Sequence, residues 1–191
     1  MRYAVIPARG GSTRIHMKNI REFHGHPLIA YSILAAKESN LFKKIIVSTD
    51  DKKIMEACAK YGITEFHYRS EELSRDEVGT YEVVADVVEA YDLDEMDDIC
   101  CIYATNPMIS ADDLVIAWSD LEEADHVISV GYPPLQDASH FYWSSIAAIK
   151  AGVGYWEDCT KPYLIDSGRV CDINTMIDFK RAERMYEEYL K

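Results

Sequence analysis

Short apolar runs alternate along this chain with stretches in which apolar residues recur at helical spacing. Apolar runs bounded by turn residues read as buried strands, and they fall at residues 3–6, 44–48, 65–68, 99–103, 126–130 and 162–165. Helical spacing fills the intervals. Pro27 precedes a helix over 28–39, Thr49-Asp50-Asp51 caps one that runs to Tyr61, and Gly62 stops it. A helix over 80–91 carries Val83, Val84, Val87, Val88 and Tyr91 on its buried side, and another spans 111–124. The acidic segment Asp92, Asp94, Glu95, Asp97 and Asp98 reads as a solvated loop. Beyond Gly131-Tyr132-Pro133-Pro134 the pattern changes to an aromatic run, Phe141-Tyr142-Trp143, followed by a short helix through Ile149. An amphipathic helix over 176–190 closes the chain. Such alternation is the mark of βαβ units and predicts an α/β fold with a mostly parallel sheet. Ligands of open α/β sheets gather at the carboxyl ends of strands, here the loops starting at Pro7, Thr49, Arg69, Thr105 and Gly131.

A length of 191 residues predicts a single domain over 1–191 with a substantial core. Hydrophobic content of 48% and charged content of 28% are those of an ordinary soluble protein. No apolar run approaches a membrane span, and no signal-like segment precedes the strand at Tyr3, so a cytoplasmic location is the default expectation. Five cysteines without a C-x-x-C pair argue against a disulfide framework and a zinc site. A net charge of −13 argues against nucleic acid as a partner, but leaves room for a small anion in one basic pocket.

Such a pocket has a candidate. Arg2, Arg9, Arg14, Lys18 and Arg21 all precede the first acidic residue, Glu22, in a chain with 33 acidic and 20 basic side chains. They flank Gly10-Gly11, where the backbone can take positive φ, approach a ligand without a Cβ, and offer successive N–H groups as an anion nest. A polyanion such as a nucleoside triphosphate would suit this loop; a solvated basic turn is the simpler alternative. Neither the P-loop pattern nor G-x-G-x-x-G is present.

Six stretches resemble the cytidylyltransferases that activate nonulosonic (sialic-type) acids, with the pseudaminic acid branch nearest. They are IPARGGSTRIHMKNIREFHGHPLIAYSI from Ile6, IIVSTDD from Ile45, YRSEELSRDEVGT from Tyr68, YATNP from Tyr103, DASHFYW from Asp137 and DINTMIDFKRAE from Asp172. Their order and spacing agree over nearly the whole chain. The resemblance implies a three-layer Rossmann-like nucleotidyltransferase fold. It also implies attack of a sugar-acid anomeric hydroxyl on the α-phosphate of CTP, giving a CMP-sugar and pyrophosphate with a divalent cation, Mg2+. On that basis Ala8, Arg9, Gly10, Gly11, Ser12, Thr13 and Arg14 wrap the triphosphate, with Lys18 and Asn19. Arg69 and Thr80 face the cytosine. Tyr103, Thr105, Asn106, Phe141 and Tyr142 face the sugar, although a strand-end tyrosine and an aromatic cluster equally suit a core. Asp172 and Asn174 are the metal positions, and Arg9, Lys18 and Asp172 carry the catalysis.

Three departures stand out against that family. Thr13 occupies the place of a usual lysine. Asp172-Ile173-Asn174 replaces a D-x-D pair, and Asn174 can also be read as a helix cap. The segment leading to D-A-x-x-F-Y-W shrinks to 131–136, which removes an insertion that builds the dimer and sugar pocket in relatives. A monomer or weak homodimer is therefore expected. A smaller sugar acid or sugar phosphate as acceptor, and a catalytically weak nucleotide-binding homologue, are the alternative functions.

Overall fold

A computed structural model describes residues 1–189, so Leu190, where the last helix was expected to end, lies outside the described residues. Four strands run parallel: β1 (Arg2–Pro7), β4 (Lys44–Thr49), β5 (Glu65–Tyr68) and β6 (Asp98–Ile102). Strands β2 (Glu22–Phe23) and β3 (His26–Pro27) form a separate two-stranded ribbon. The main sheet continues with β7 (His126–Tyr132), β8 (Gln136–Ser145) and β9 (Thr160–Asp166), in the order β5-β4-β1-β6-β8-β7-β9. Strand β8 is antiparallel to both its neighbours, while β7 and β9 run parallel.

Helices cover both faces, and the period-2 alternation of the strands decides what each face buries. Ala4, Ile6, Cys100, Ile102, Phe141 and Trp143 pack under α1 (Ile29–Glu38), α2 (Lys52–Ala59) and α4 (Ala111–Ser119). Tyr3, Val5, Ile99, Cys101 and Tyr142 face α3 (Thr80–Ala90) and α5 (Ile146–Ala151). Three layers result, as the resemblance implied. A third cluster joins Ile15, Phe23, Leu28 and Tyr31 to Cys171, Ile173, Phe179 and Ala182. It ties the start of α6 (Met176–Tyr189) to the glycine-rich loop, and so sets Asp172 opposite that loop.

Strand β8 is the main departure from the sequence pattern. Phe141-Tyr142-Trp143 lies in the middle of the sheet, between β6 and β7, rather than in a connection. All three rings are buried, so no polar alternation marks the run as a strand. Trp143 stacks on Phe42 at 5.3 Å and donates from its indole N–H to Leu114 O at 3.1 Å. The β7–β8 register shifts between Ile128 and Val130, where Ser129 Oγ accepts from the backbone N–H of His140 (3.0 Å) and Phe141 (3.1 Å). The acidic segment is also less solvated than expected: Asp97 is buried and Asp98 opens β6.

Candidate active site

Because β1, β4, β5 and β6 are parallel, their carboxyl ends share one edge, and a cleft of about 470 Å³ opens there. Pro7, at the end of β1, starts one wall. Ala8 is buried, its N–H donating to Ser48 O at 2.9 Å, so it anchors the loop rather than facing the cleft. Neither Gly10 nor Gly11 has positive φ, contrary to the expectation for this turn. Gly10 is needed for close approach instead: a Cβ there would lie 2.6 Å from that of Asp51. Its N–H donates to Asp50 Oδ1 at 2.7 Å, and Ser12 N–H donates to Gly10 O at 2.9 Å. Those two amides are thus engaged within the protein and are not free for an anion nest. Asp51 caps α2, as read from sequence, while Asp50 beside it braces the loop.

The positive charge instead comes from side chains. Arg9, Arg14, Lys18 and Arg69 all line the cleft, with Ser12, Thr13 and Asn19. Arg9 forms an ion pair with Asp76 and donates to Ser74 O at 3.3 Å. Buried Asn19 donates to Arg9 O at 3.0 Å, which sets the backbone of the loop. Lys18 donates from Nζ to Ile173 O at 2.6 Å. Burial lowers its pKa most, with Arg14 and Arg9 acting in the same sense, while Asp172 and Asp178 pull it back up. Arg69 is buried at the end of β5, donates from Nε to Ser48 Oγ at 2.9 Å, and is lowered by desolvation to about 10. It therefore keeps its charge at neutral pH.

On the opposite wall, Thr80 Oγ1 and Tyr103 Oη lie 3.1 Å apart, and Thr105 donates to Asp172 Oδ1 at 3.4 Å. Two other residues expected on the sugar side lie elsewhere. Asn106 is buried and donates to Ala138 O at 3.2 Å, and Phe141 is on the far face of the sheet. Tyr142 sits behind Tyr103, ring centroids 5.4 Å apart, and donates to Asp137 Oδ2 at 2.5 Å. Val78 and Gly79, in the segment near Thr80 expected at the cytosine, line the cleft too, whereas Asp76 and Val83, which also line it, were not expected there.

The two metal candidates meet, but as a hydrogen-bonded pair. Asn174 donates from Nδ2 to Asp172 Oδ2 at 2.5 Å and accepts at Oδ1 from Arg14 at 3.3 Å. Reversing the amide would set oxygen against carboxylate and NH2 against guanidinium, so both contacts fix its orientation. Asn174 therefore turns NH2, not oxygen, toward Asp172, and its carbonyl is committed to Arg14. Nor does its side chain cap α6. Thr175 does so: its Oγ1 accepts from Asp178 N–H (3.3 Å) while Asp178 Oδ2 accepts from Thr175 N–H (2.7 Å). Among the described residues no group of three or more His, Cys, Asp or Glu could hold a metal. A hard cation can nevertheless use one carboxylate when phosphate oxygens and waters supply the rest, and Asp172 fits that role.

Residues 3–183 match the family model described as Cytidylyltransferase. Over 116 residues the chain is 41% identical to a pseudaminic acid cytidylyltransferase of Campylobacter jejuni subsp. jejuni serotype O:2, covering 60% of this chain and 50% of that relative. The chain thus matches half the length of that protein. It is 29% identical to the pseudaminic acid cytidylyltransferase of serotype O:23/36, over 96% of this chain and 95% of the relative. Among solved structures, CMP:2-keto-3-deoxy-manno-octonic acid synthetase complexed with CTP superposes with a TM-score of 0.78. It is 14% identical, over 98% of each chain, a likeness that concerns the fold alone.

Proposed function

Because the chain belongs to the cytidylyltransferase family, we propose that it transfers CMP from CTP to a nonulosonic acid of the pseudaminic or N-acylneuraminic class, releasing pyrophosphate. Convergence of Arg9, Arg14, Lys18 and Arg69 on one cleft at the carboxyl edge of the sheet carries this reading. A nucleoside triphosphate is a ligand whose negative charge suits such a cluster in a chain of net charge −13. In the reaction the anomeric oxygen bonds to the α-phosphorus, the α–β bridging P–O bond breaks, and the hydroxyl proton passes to solvent. Catalysis then rests on positioning and on neutralising phosphate charge. Arg9 exchanges Asp76 and Ser74 O for phosphate oxygens, a guanidinium being suited to bidentate contact. Lys18, held against Ile173 O, supplies a point charge for the α-phosphate or leaving group. Arg14 supplies the charge that Thr13 lacks. Arg69 and Thr80 face the cytosine, and Tyr103 and Thr105 the sugar. A divalent cation, Mg2+ in this reading, would be held by Asp172 and would neutralise charge on the phosphates when bound.

One observation favours a second reading. With Asn174 presenting NH2 to Asp172, only one carboxylate is available to a cation, as suits a catalytically weak nucleotide-binding homologue. Pyrophosphate release with CTP and a panel of sugar acids separates the two: turnover supports the transferase, and CTP binding without turnover on any acid supports the binder. With only 133–135 between β7 and β8, the protein should be a monomer or weak homodimer. A dimer that survives dilution to nanomolar concentration in light scattering would contradict this. Among the described residues no helix is long and apolar enough to cross a membrane.

A further inference from the structure

Arg69 is held by a chain of polar groups that runs away from the cleft into the interior. Its Nε lies 2.9 Å from Ser48 Oγ, Ser48 Oγ lies 3.0 Å from His67 Nδ1, and His67 Nε2 lies 2.8 Å from Asp86 Oδ2. Ser48 and His67 face each other across the β4–β5 register, and both are buried. Asp86, on α3, is 41% exposed and connects the far end to solvent.

The chemistry of these groups fixes the direction of every bond. A carboxylate only accepts, so His67 Nε2 carries a proton toward Asp86. In a neutral imidazole Nδ1 is then an acceptor and takes the Ser48 hydroxyl proton. The Ser48 oxygen is left with its lone pairs for Arg69 Nε–H, which can only donate. Protonating His67 breaks this order. Two donors, His67 Nδ1–H and Arg69 Nε–H, would then converge on one oxygen whose own proton has no acceptor in the chain. A second cation would also lie beside a buried guanidinium.

We propose that Ser48 and His67 are positioning residues for Arg69: neutral His67, oriented by Asp86, fixes the Ser48 oxygen as the acceptor that aims the guanidinium into the cleft. The role rests on the reading of that cleft as a cytidine nucleotide site. Acid therefore loosens Arg69 and weakens nucleotide binding. The charged groups that face His67 are Asp86 from α3 and Arg69 from the end of its own strand. Behind Arg69 stand Asp50 after β4, Arg9 from the basic loop and Cys101 on β6, whose buried thiol is raised to about 12 and stays neutral. Desolvation lowers the His67 pKa more than Asp86 raises it, so neutral His67 is the form at neutral pH.

Two measurements on the full-length protein test this. Nitrogen-15 NMR should find His67 as the Nε2–H tautomer, with the Arg69 Nε–H resonance shifting at the pH where His67 titrates. In His67→Asn, whose amide oxygen can sit near the Nδ1 position and does not titrate, the Arg69 resonance should be indifferent to pH. Calorimetry with CTP should give similar affinities for wild type and His67→Asn at pH 8. Below the His67 midpoint the wild type should fall about three- to tenfold behind, the worth of one hydrogen bond. The comparison at each pH cancels titration of the CTP phosphates. Ser48→Ala, which removes the shared oxygen, should weaken CTP by a similar factor at pH 8. An Nδ1–H tautomer, or CTP binding with an Arg69 resonance blind to His67, overturns the proposal alone. Coupled resonances in a protein that binds no CTP at pH 8 overturn the nucleotide reading and, with it, the role given to this chain of groups.

Discussion

Replacing Asn174 by aspartate would give Asp172 the carboxylate partner that the resemblance leads one to expect, and the structure sets the size of the effect. Asn174 Nδ2 now donates to Asp172 Oδ2 at 2.5 Å, so an aspartate would bring two carboxylates face to face. Two like charges about 4 Å apart repel by about 1 kcal/mol at water-like permittivity, the appropriate limit for exposed Asp172. Without metal, Asn174→Asp should therefore lose about 1 kcal/mol of stability, part of it offset by Arg14, which now donates to Asn174 Oδ1. A divalent cation at the same spacing gains about 2 kcal/mol from the added charge. Competition from Arg14 trims this, and the half-saturating Mg2+ concentration should fall about tenfold. Pyrophosphate release against Mg2+ concentration reads the second effect, and thermal melts with and without Mg2+ read the first. Asp172→Asn in the same assay should nearly abolish turnover. An unchanged half-saturating concentration in Asn174→Asp, with only a loss of stability, would refute Asp172 as the place where the cation sits.

Arg9→Ala should weaken CTP binding by about 1.5–3 kcal/mol in calorimetry, the worth of a charge-assisted hydrogen bond. The ligand-free melting temperature should barely move, because the partner left behind, Asp76, is 56% exposed and rehydrates. Acid should destabilise the fold through its buried histidines: desolvation pushes His140 down to about 3, and His67 and His126 are lowered in the same sense. The unfolded chain then binds more protons below the ordinary histidine value of about 6.5, so stability is full above that pH and is lost as pH falls toward the folded values. His140 alone should cost about 2 kcal/mol at pH 5 in urea melts, and a His140→Leu variant with the same pH slope as wild type would contradict this.

Much of this was legible because the parallel half of the fold obeys local rules. The apolar runs at 3–6, 44–48, 65–68 and 99–103 fall within β1, β4 and β5 and overlap β6, and their carboxyl ends form the cleft. The charge inversion before Glu22 pointed to the cations that line it. What escaped depends on partners distant in sequence. The aromatic run of β8 is flanked by β6 and β7 and covered on its two faces by helix layers, so it carries no alternation to read. Asp50 looked like half of a helix cap; a second aspartate beside a sufficient one was the signal available, and its target, Gly10 N–H, lies 40 residues away. Asn174 could be read as cap or ligand from its neighbours alone, whereas Arg14, which fixes its amide, comes from the opposite end of the chain. Ser48 lies in the IIVSTDD stretch and His67 in none, and nothing in either segment joins the two: their pairing comes from strand register.

The central claim is that Arg9, Arg14 and Lys18 at the carboxyl edge of the sheet bind the triphosphate of CTP, with Arg69 at its cytosine, for transfer to a nonulosonic acid. Pyrophosphate release by the purified protein with CTP, Mg2+ and a panel including pseudaminic and N-acylneuraminic acids tests it most directly. Release that requires both CTP and one such acid, and that collapses in Lys18→Ala, is the predicted result. No release with any acid, or release that Lys18→Ala leaves intact, would contradict it.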